Sequence, residues 1–148
     1  MEQEKKKVKI LLVDDDEMMR IYFRDVFWIH GRSDSYDIKM VSSLDEAEKI
    51  IEDKETRPDS IFLDVLMSAK GNKGATPAYQ IARSLEFISR MKKNKDFSGI
   101  NIIIYSGQKE QSLKEAASKL GIDGYIVKGE LMPKEIIAFT DKIHGTNN

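Results

Sequence analysis

Five short apolar runs recur along this chain, with helix-patterned segments between them. They are Val8–Val13 (VKILLV), Ile38–Val41 (IKMV), Ile61–Leu63 (IFL), Ile100–Tyr105 (INIIIY) and Tyr125–Val127 (YIV). Each is rich in Ile, Val, Leu or aromatic residues and is bounded by Asp, Ser, Gly or Pro, which is how strands read. Their scant polar alternation marks strands covered on both faces. The intervening segments carry apolar residues at helical spacing. Residues 17–29 place Met19, Phe23, Val26 and Phe27 on one stripe, and 44–53 place Leu44, Ala47, Ile50 and Ile51. Residues 79–91 place Ile81, Leu85, Ile88 and Met91, and 110–120 place Leu113, Ala116, Ala117 and Leu120, with Gly121 as a stop. Residues 133–143 place Ile136, Phe139, Thr140 and Ile143, with Pro133 suited to a first turn.

Strand and helix therefore alternate five times. That order predicts an α/β fold, a doubly wound parallel sheet with helices on both faces. Five strands favour the flavodoxin-like order 2-1-3-4-5, with five helices. The 148 residues read as a single domain with its core at about 7–144 and frayed, flexible termini at 1–6 and 145–148. Two connections are longer than such a fold needs. GRSDSYD (31–37) joins the first helix to the second strand. A surface loop over 67–78, containing SAKGNKGATP (68–77), follows the third. GNKGAT within it is not a phosphate-binding P-loop, because no Lys-Ser/Thr follows its second Gly.

Composition narrows the chemistry. The chain has no Cys, which removes disulfides, thiolate metal sites and cysteine nucleophiles. With 24 Lys+Arg against 25 Asp+Glu, the net charge is −1, which argues against direct nucleic-acid binding. No apolar run approaches a membrane span, and the Lys-rich start lacks the apolar core of a signal peptide. The expectation is a cytoplasmic protein with no membrane insertion, its KKK run at 5–7 a solvated tail.

Ligands in an open parallel sheet bind beyond the carboxyl ends of the strands, near the switch point. Asp14, Asp15 and Asp16 follow the first strand and Asp64 the third, while Ser106 and Lys128 close the fourth and fifth. The predicted strand order gathers these into one cleft. Several carboxylates at short range need a cation, and an all-oxygen acidic site beside a bound phosphate suits Mg²⁺. Asp64, at the centre, is then a nucleophile for phosphorus, with Lys128 and the Ser106 hydroxyl neutralising the transferring group. Asp16, just ahead of a helical segment, is better read as that helix's N-cap.

The ordered motifs KILLVDDDEMMR, RPDSIFLDVLM, IIIYSG and GYIVKG resemble the receiver domain of two-component response regulators, over roughly residues 7–144. The resemblance implies a stand-alone receiver that takes a phosphoryl group from a phosphohistidine onto Asp64. Asp14 and Asp15 would be the acidic pair, Asp15 the more direct Mg²⁺ ligand, and Asp64 and the backbone carbonyl of Leu66 would complete the protein ligands. Ser106 and Lys128 would contact the phosphoryl group, and Ser106 and Tyr125 would shift on activation. The implied partners are a sensor histidine kinase or histidine phosphotransfer protein, and a downstream protein target bound through a changed surface.

Two positions depart from the family pattern: Ser68 and Gly129 stand where proline is usual. Ser106 follows Asp64 by 42 residues, longer than usual because of the Gly/Lys loop. Two alternatives follow. One is a pseudo-receiver that binds a protein without being phosphorylated. The other is a haloacid-dehalogenase-like phosphatase with Asp14 as nucleophile and Asp16 as acid, although it would lack its later acidic pair and leave Asp64 without a role. Helix 1 also carries more bulk than one core face requires, in Ile21, Tyr22 and Trp28. These residues either dock a phosphodonor or, the favoured reading, pack beneath the 31–37 loop. His30 and His144 are too isolated to suggest a metal site.

Overall fold

The computed structural model describes residues 6–30, 33–67 and 76–145. Five strands, β1 (Val8–Val13), β2 (Tyr36–Val41), β3 (Ser60–Leu63), β4 (Asn101–Ser106) and β5 (Gly124–Val127), form one parallel sheet in the order β2-β1-β3-β4-β5. Among the described residues the helices are α1 (Glu17–Ile29), α2 (Leu44–Glu52), α3 (Pro77–Lys93), α4 (Gln111–Lys119) and α5 (Pro133–His144), with a 3₁₀ turn at Lys95–Phe97. The predicted fold class and strand order are those observed.

The period-2 geometry of each strand divides the core in two. Leu11, Val13, Ile61, Leu63, Ile102 and Ile104 pack with residues of α2, α3 and α4 on one face. Ile10, Leu12, Phe62, Ile103, Tyr105 and Ile126 pack with α1 and α5 on the other. Each fully buried aliphatic or aromatic side chain contributes on the order of 1.5–3 kcal/mol relative to exposure, so both faces hold the sheet. Phe23 joins the second layer to α1, with its ring centroid 5.0 Å from Phe62 and 5.2 Å from Phe27.

Several element bounds differ from the sequence reading. Tyr36 and Asp37 belong to β2, not to the 31–37 connection, because they pair with Val8 and Lys9. Pro77 and Ala78 open α3, with Thr76 accepting from the Tyr79 N–H at 3.1 Å as its cap. The 67–78 loop is therefore shorter at its end than expected. Its residues 68–75, Ser68 among them, lie outside the described residues, as do 31 and 32. Of the expected frayed ends, 1–5 and 146–148 also lie outside, whereas Gly145 caps α5 with φ +64. Asp16 is the N-cap of α1, accepting from Met18 N at 2.9 Å and Met19 N at 3.4 Å. The packing expected for helix 1 fails at two of its three residues, Ile21 being half-buried: Trp28 is 66% exposed and Tyr22 41%. Trp28 and Tyr22 point away from the face that Phe23, Val26 and Phe27 bury.

His144 has a structural partner. Its Nε2 lies 2.6 Å from Ser60 Oγ, tying the last turn of α5 to the start of β3, and its ring meets Tyr36 edge-on at 6.4 Å. Burial pushes the His144 pKa below its usual 6.5, while Asp59 pulls it partly back. The native state thus favours the neutral ring. That contribution to stability is complete above pH 6.5 and is lost as pH falls through the lowered native value. The urea midpoint of the wild type should drop more steeply below pH 6.5 than that of His144→Gln. Equal pH slopes for the two proteins would show that the ring contributes nothing.

Candidate functional site

The sheet ladder does not stop at the assigned strand ends. Asp14 N–H donates to Val41 O at 3.0 Å, Asp64 N–H to Val13 O at 3.0 Å, and Lys128 N–H to Ser106 O at 2.9 Å. The backbones of these residues are therefore fixed by neighbouring strands, and their side chains converge at the carboxyl edge of the sheet.

Asp14, Asp64 and Ser106 are buried, and Asp15 is half-buried. Lys128 Nζ lies 2.5 Å from Asp14 Oδ2 and 3.0 Å from Asp64 Oδ2, so one ammonium bridges two carboxylates. Asp14 Oδ1 accepts from Asp16 N–H at 2.9 Å. Asp64 Oδ1 accepts from Leu66 N–H at 3.1 Å and from the Ser106 hydroxyl at 3.0 Å. Ligand oxygens of Asp14, Asp15 and Asp64 lie within 4.8 Å of one another. Five of the sequence-derived residues, Asp14, Asp15, Asp64, Ser106 and Lys128, thus meet in one cluster. Leu66 touches it through its N–H.

Burial pushes the Asp64 carboxyl above its usual range. Lys128 and the Leu66 N–H pull against that, Asp14 adds to it, and the balance stays upward. Burial also lowers Lys128, but Asp14 and Asp64 together outweigh it and hold the ammonium charged. Three clustered carboxylate oxygens with one carboxyl still pushed up form a donor set that fits a hard divalent cation.

Tyr125 stands beside the cluster, half-buried. Its hydroxyl donates to Gln108 O at 2.7 Å, and Lys114 Nζ sits 5.7 Å from its ring centroid. Burial, with Glu110 and Asp64, pushes the phenol up to about 12, so it remains a donor at neutral pH. Gln108 N–H in turn donates to Ser106 Oγ at 3.4 Å. A continuous path of polar contacts therefore runs from Asp64 through Ser106 and Gln108 to Tyr125.

Gly129 has φ +88 and follows Lys128 in a turn closed by Glu130 N–H to Val127 O at 3.1 Å. Glycine at this turn position takes a positive φ that other residues rarely adopt.

A family model described as the response regulator receiver domain matches residues 10–140. The chain belongs to the response regulator receiver domain family. Structural similarity agrees with this. The receiver matches a Thermotoga maritima response regulator at 17% identity and TM-score 0.71, covering 95% of this chain and 99% of that one. It matches the Vibrio cholerae chemotaxis protein CheY4 at 19% identity and TM-score 0.70, covering 93% and 99%. It also matches the receiver domain of a sensor histidine kinase from Pseudomonas aeruginosa PAO1 at 17% identity and TM-score 0.69, covering 95% and 99%. That structure has a magnesium ion coordinated in its active-site cleft. No curated protein matches the chain by sequence. Among the described residues, no helix of the receiver is long and apolar enough to cross a membrane. The family match over residues 10–140 leaves the phosphatase alternative without support, and Asp16 serves as the α1 cap.

Two contacts at the site were not anticipated. Arg20 Nη1 donates to Asp14 O at 2.8 Å, and the Tyr105 ring lies beneath Lys128 Nζ, 5.7 Å from its centroid. Strand alternation places Tyr105 on the α1/α5 face, but nothing in the sequence spacing gives its distance from Lys128. Burial, with Tyr22 and Asp14, pushes its phenol up to about 12. Tyr105→Phe keeps the ring and should cost less than about 1 kcal/mol. Tyr105→Leu removes both packing and the cation–π contact and should cost roughly 2–4 kcal/mol in urea denaturation. Equal losses in the two variants would assign the effect to the hydroxyl instead.

Proposed function

We propose that this receiver accepts a phosphoryl group on Asp64 from a phosphohistidine of a sensor kinase or phosphotransfer protein. It then signals to a protein partner by a change of surface. The observation that carries this reading is the setting of the Asp64 carboxylate. Its Oδ1 is oriented by the Leu66 N–H and the Ser106 hydroxyl, and its Oδ2 faces an ammonium. An Asp64 oxygen attacks phosphorus. The new O–P bond forms as the P–N bond to imidazole breaks, and the imidazole leaves with the electron pair. The Ser106 hydroxyl turns its donation from Asp64 to a phosphoryl oxygen. Lys128 gives up its contact with Asp64 Oδ2 and pairs with the transferred group. Hydrolysis of the acyl phosphate by water returns the carboxylate and inorganic phosphate.

Asp14, Asp15, Asp64 and the Leu66 carbonyl are the residues assigned to hold Mg²⁺, which when bound supplies charge neutralisation for the transferring group. Ser106 and Tyr125 are assigned the switch, through the path that already joins them at Gln108. The chain is taken as a single receiver domain over 1–148, located in the cytoplasm.

Intact-protein mass after incubation with acetyl phosphate tests the reading. The wild type should gain one phosphoryl group with Mg²⁺ and none with a chelator, and Asp64→Asn should gain none. Asp15→Asn should need about tenfold or more Mg²⁺ for the same gain. Absence of both a mass gain and beryllofluoride binding in the wild type would sink the proposal in favour of a protein-binding module that is never phosphorylated.

A further inference from the structure

Helix α1 is apolar on two faces. One face, with Phe23, Val26 and Phe27, is buried in the core. Away from it, Met18 is 71% exposed, Trp28 66% and Ile29 73%, with Tyr22 beside them and Ile21 half-buried. Residues three, four and seven apart share one helix surface, so Ile21, Arg24, Asp25 and Trp28 line a single strip. That strip reads apolar–Arg–Asp–apolar, and reversing the helix about the point between Arg24 and Asp25 sets apolar against apolar at its ends and base against acid at its centre.

Such a pattern is complementary to itself. If a second helix of the same sequence lies antiparallel across it, with a two-fold axis between residues 24 and 25, each Arg24 meets the other copy's Asp25. Each Ile21 then meets the other copy's Trp28. An isologous interface has this reciprocal form. Within one chain, Arg24 and Asp25 are adjacent and do not face each other squarely. Their contact is two long bonds, 3.3 Å from Nε and 3.2 Å from Nη2, to the single oxygen Oδ1. Both side chains remain partly exposed and available in trans.

We propose that α1 is a homodimerisation surface, pairing antiparallel with α1 of a second copy about a two-fold axis between Arg24 and Asp25. Met18, Tyr22 and Ile29 flank the central strip and widen the apolar contact. One helix on one helix is a small interface, so the dimer is weak, with a dissociation constant in the range of about 10 μM to 1 mM.

Sedimentation velocity over that concentration range provides the test, together with the emission of Trp28, the chain's sole tryptophan. The wild type should shift from monomer to dimer as concentration rises, and Trp28 emission should move to shorter wavelength in step. Trp28→Ser should remain monomeric. Arg24→Asp and Asp25→Arg each set like charges against one another across the axis and should weaken association at least about tenfold. Mixed in equal amounts, these two variants recover opposite charges at both contacts and should associate again. All these residues are surface-exposed or partly so, and unchanged thermal midpoints confirm that the variants fold. A wild type that stays monomeric to about 1 mM overturns the proposal and leaves the face to a helix of another protein. A dimer that ignores Trp28→Ser, or charge variants that do not recover on mixing, overturns it equally by placing the contact elsewhere.

Discussion

One ammonium shared by two buried carboxylates is the constraint around which this receiver is organised. Asp14 and Asp64 sit at the ends of adjacent strands with little access to water, and their mutual repulsion would be costly without a cation between them. Lys128 reaches both from the end of β5, where its N–H is held by Ser106 O and the Gly129 turn follows directly. The Tyr105 ring supports the ammonium from below. The sheet ladder, extended past each strand end, removes backbone freedom from all three charged residues. Their meeting is therefore a consequence of register rather than of loop conformation.

Two parts of the structure lead outward from that cluster. Asp64, Ser106, Gln108 and Tyr125 form a contiguous hydrogen-bonded path toward α4 and β5, so a change at the carboxylate has a physical route to that edge. On the other side, Asp14 and Asp16 connect directly to α1. Asp14 is gripped at its carbonyl by Arg20, and Asp16 caps the helix. The exposed apolar strip of α1 thus belongs to a helix anchored at the site itself. The two routes leave from opposite faces of the sheet, toward α4 on one side and α1 on the other.

Much of this was legible in the residues. β1 and α1 have the predicted bounds because a fully apolar run and a capped amphipathic helix are strong local signals. The β2 start was less visible: Tyr36 and Asp37 look like turn residues until their pairing with β1 is known. The cluster of Asp14, Asp15, Asp64, Ser106 and Lys128 followed from strand order alone, since each closes or follows a strand. The core stripe of α1 was legible from its periodicity, but Trp28, outside that stripe, was expected beneath the 31–37 connection because of its bulk, and it stands in water instead. His144 was set aside as isolated, yet Ser60, distant in sequence, supplies its partner.

By itself, the sequence determined the element order, the two-faced burial of the strands and the residue types at their carboxyl ends, because these depend on local periodicity and on a topology with few alternatives. Only the tertiary structure decided which oxygen of Asp64 faces Ser106 and which faces Lys128, that Tyr105 lies under the ammonium, and that α1 keeps a second apolar face in water. Those are distances and angles between elements far apart in the chain. They are set by packing over the whole sheet, and no local pattern encodes them.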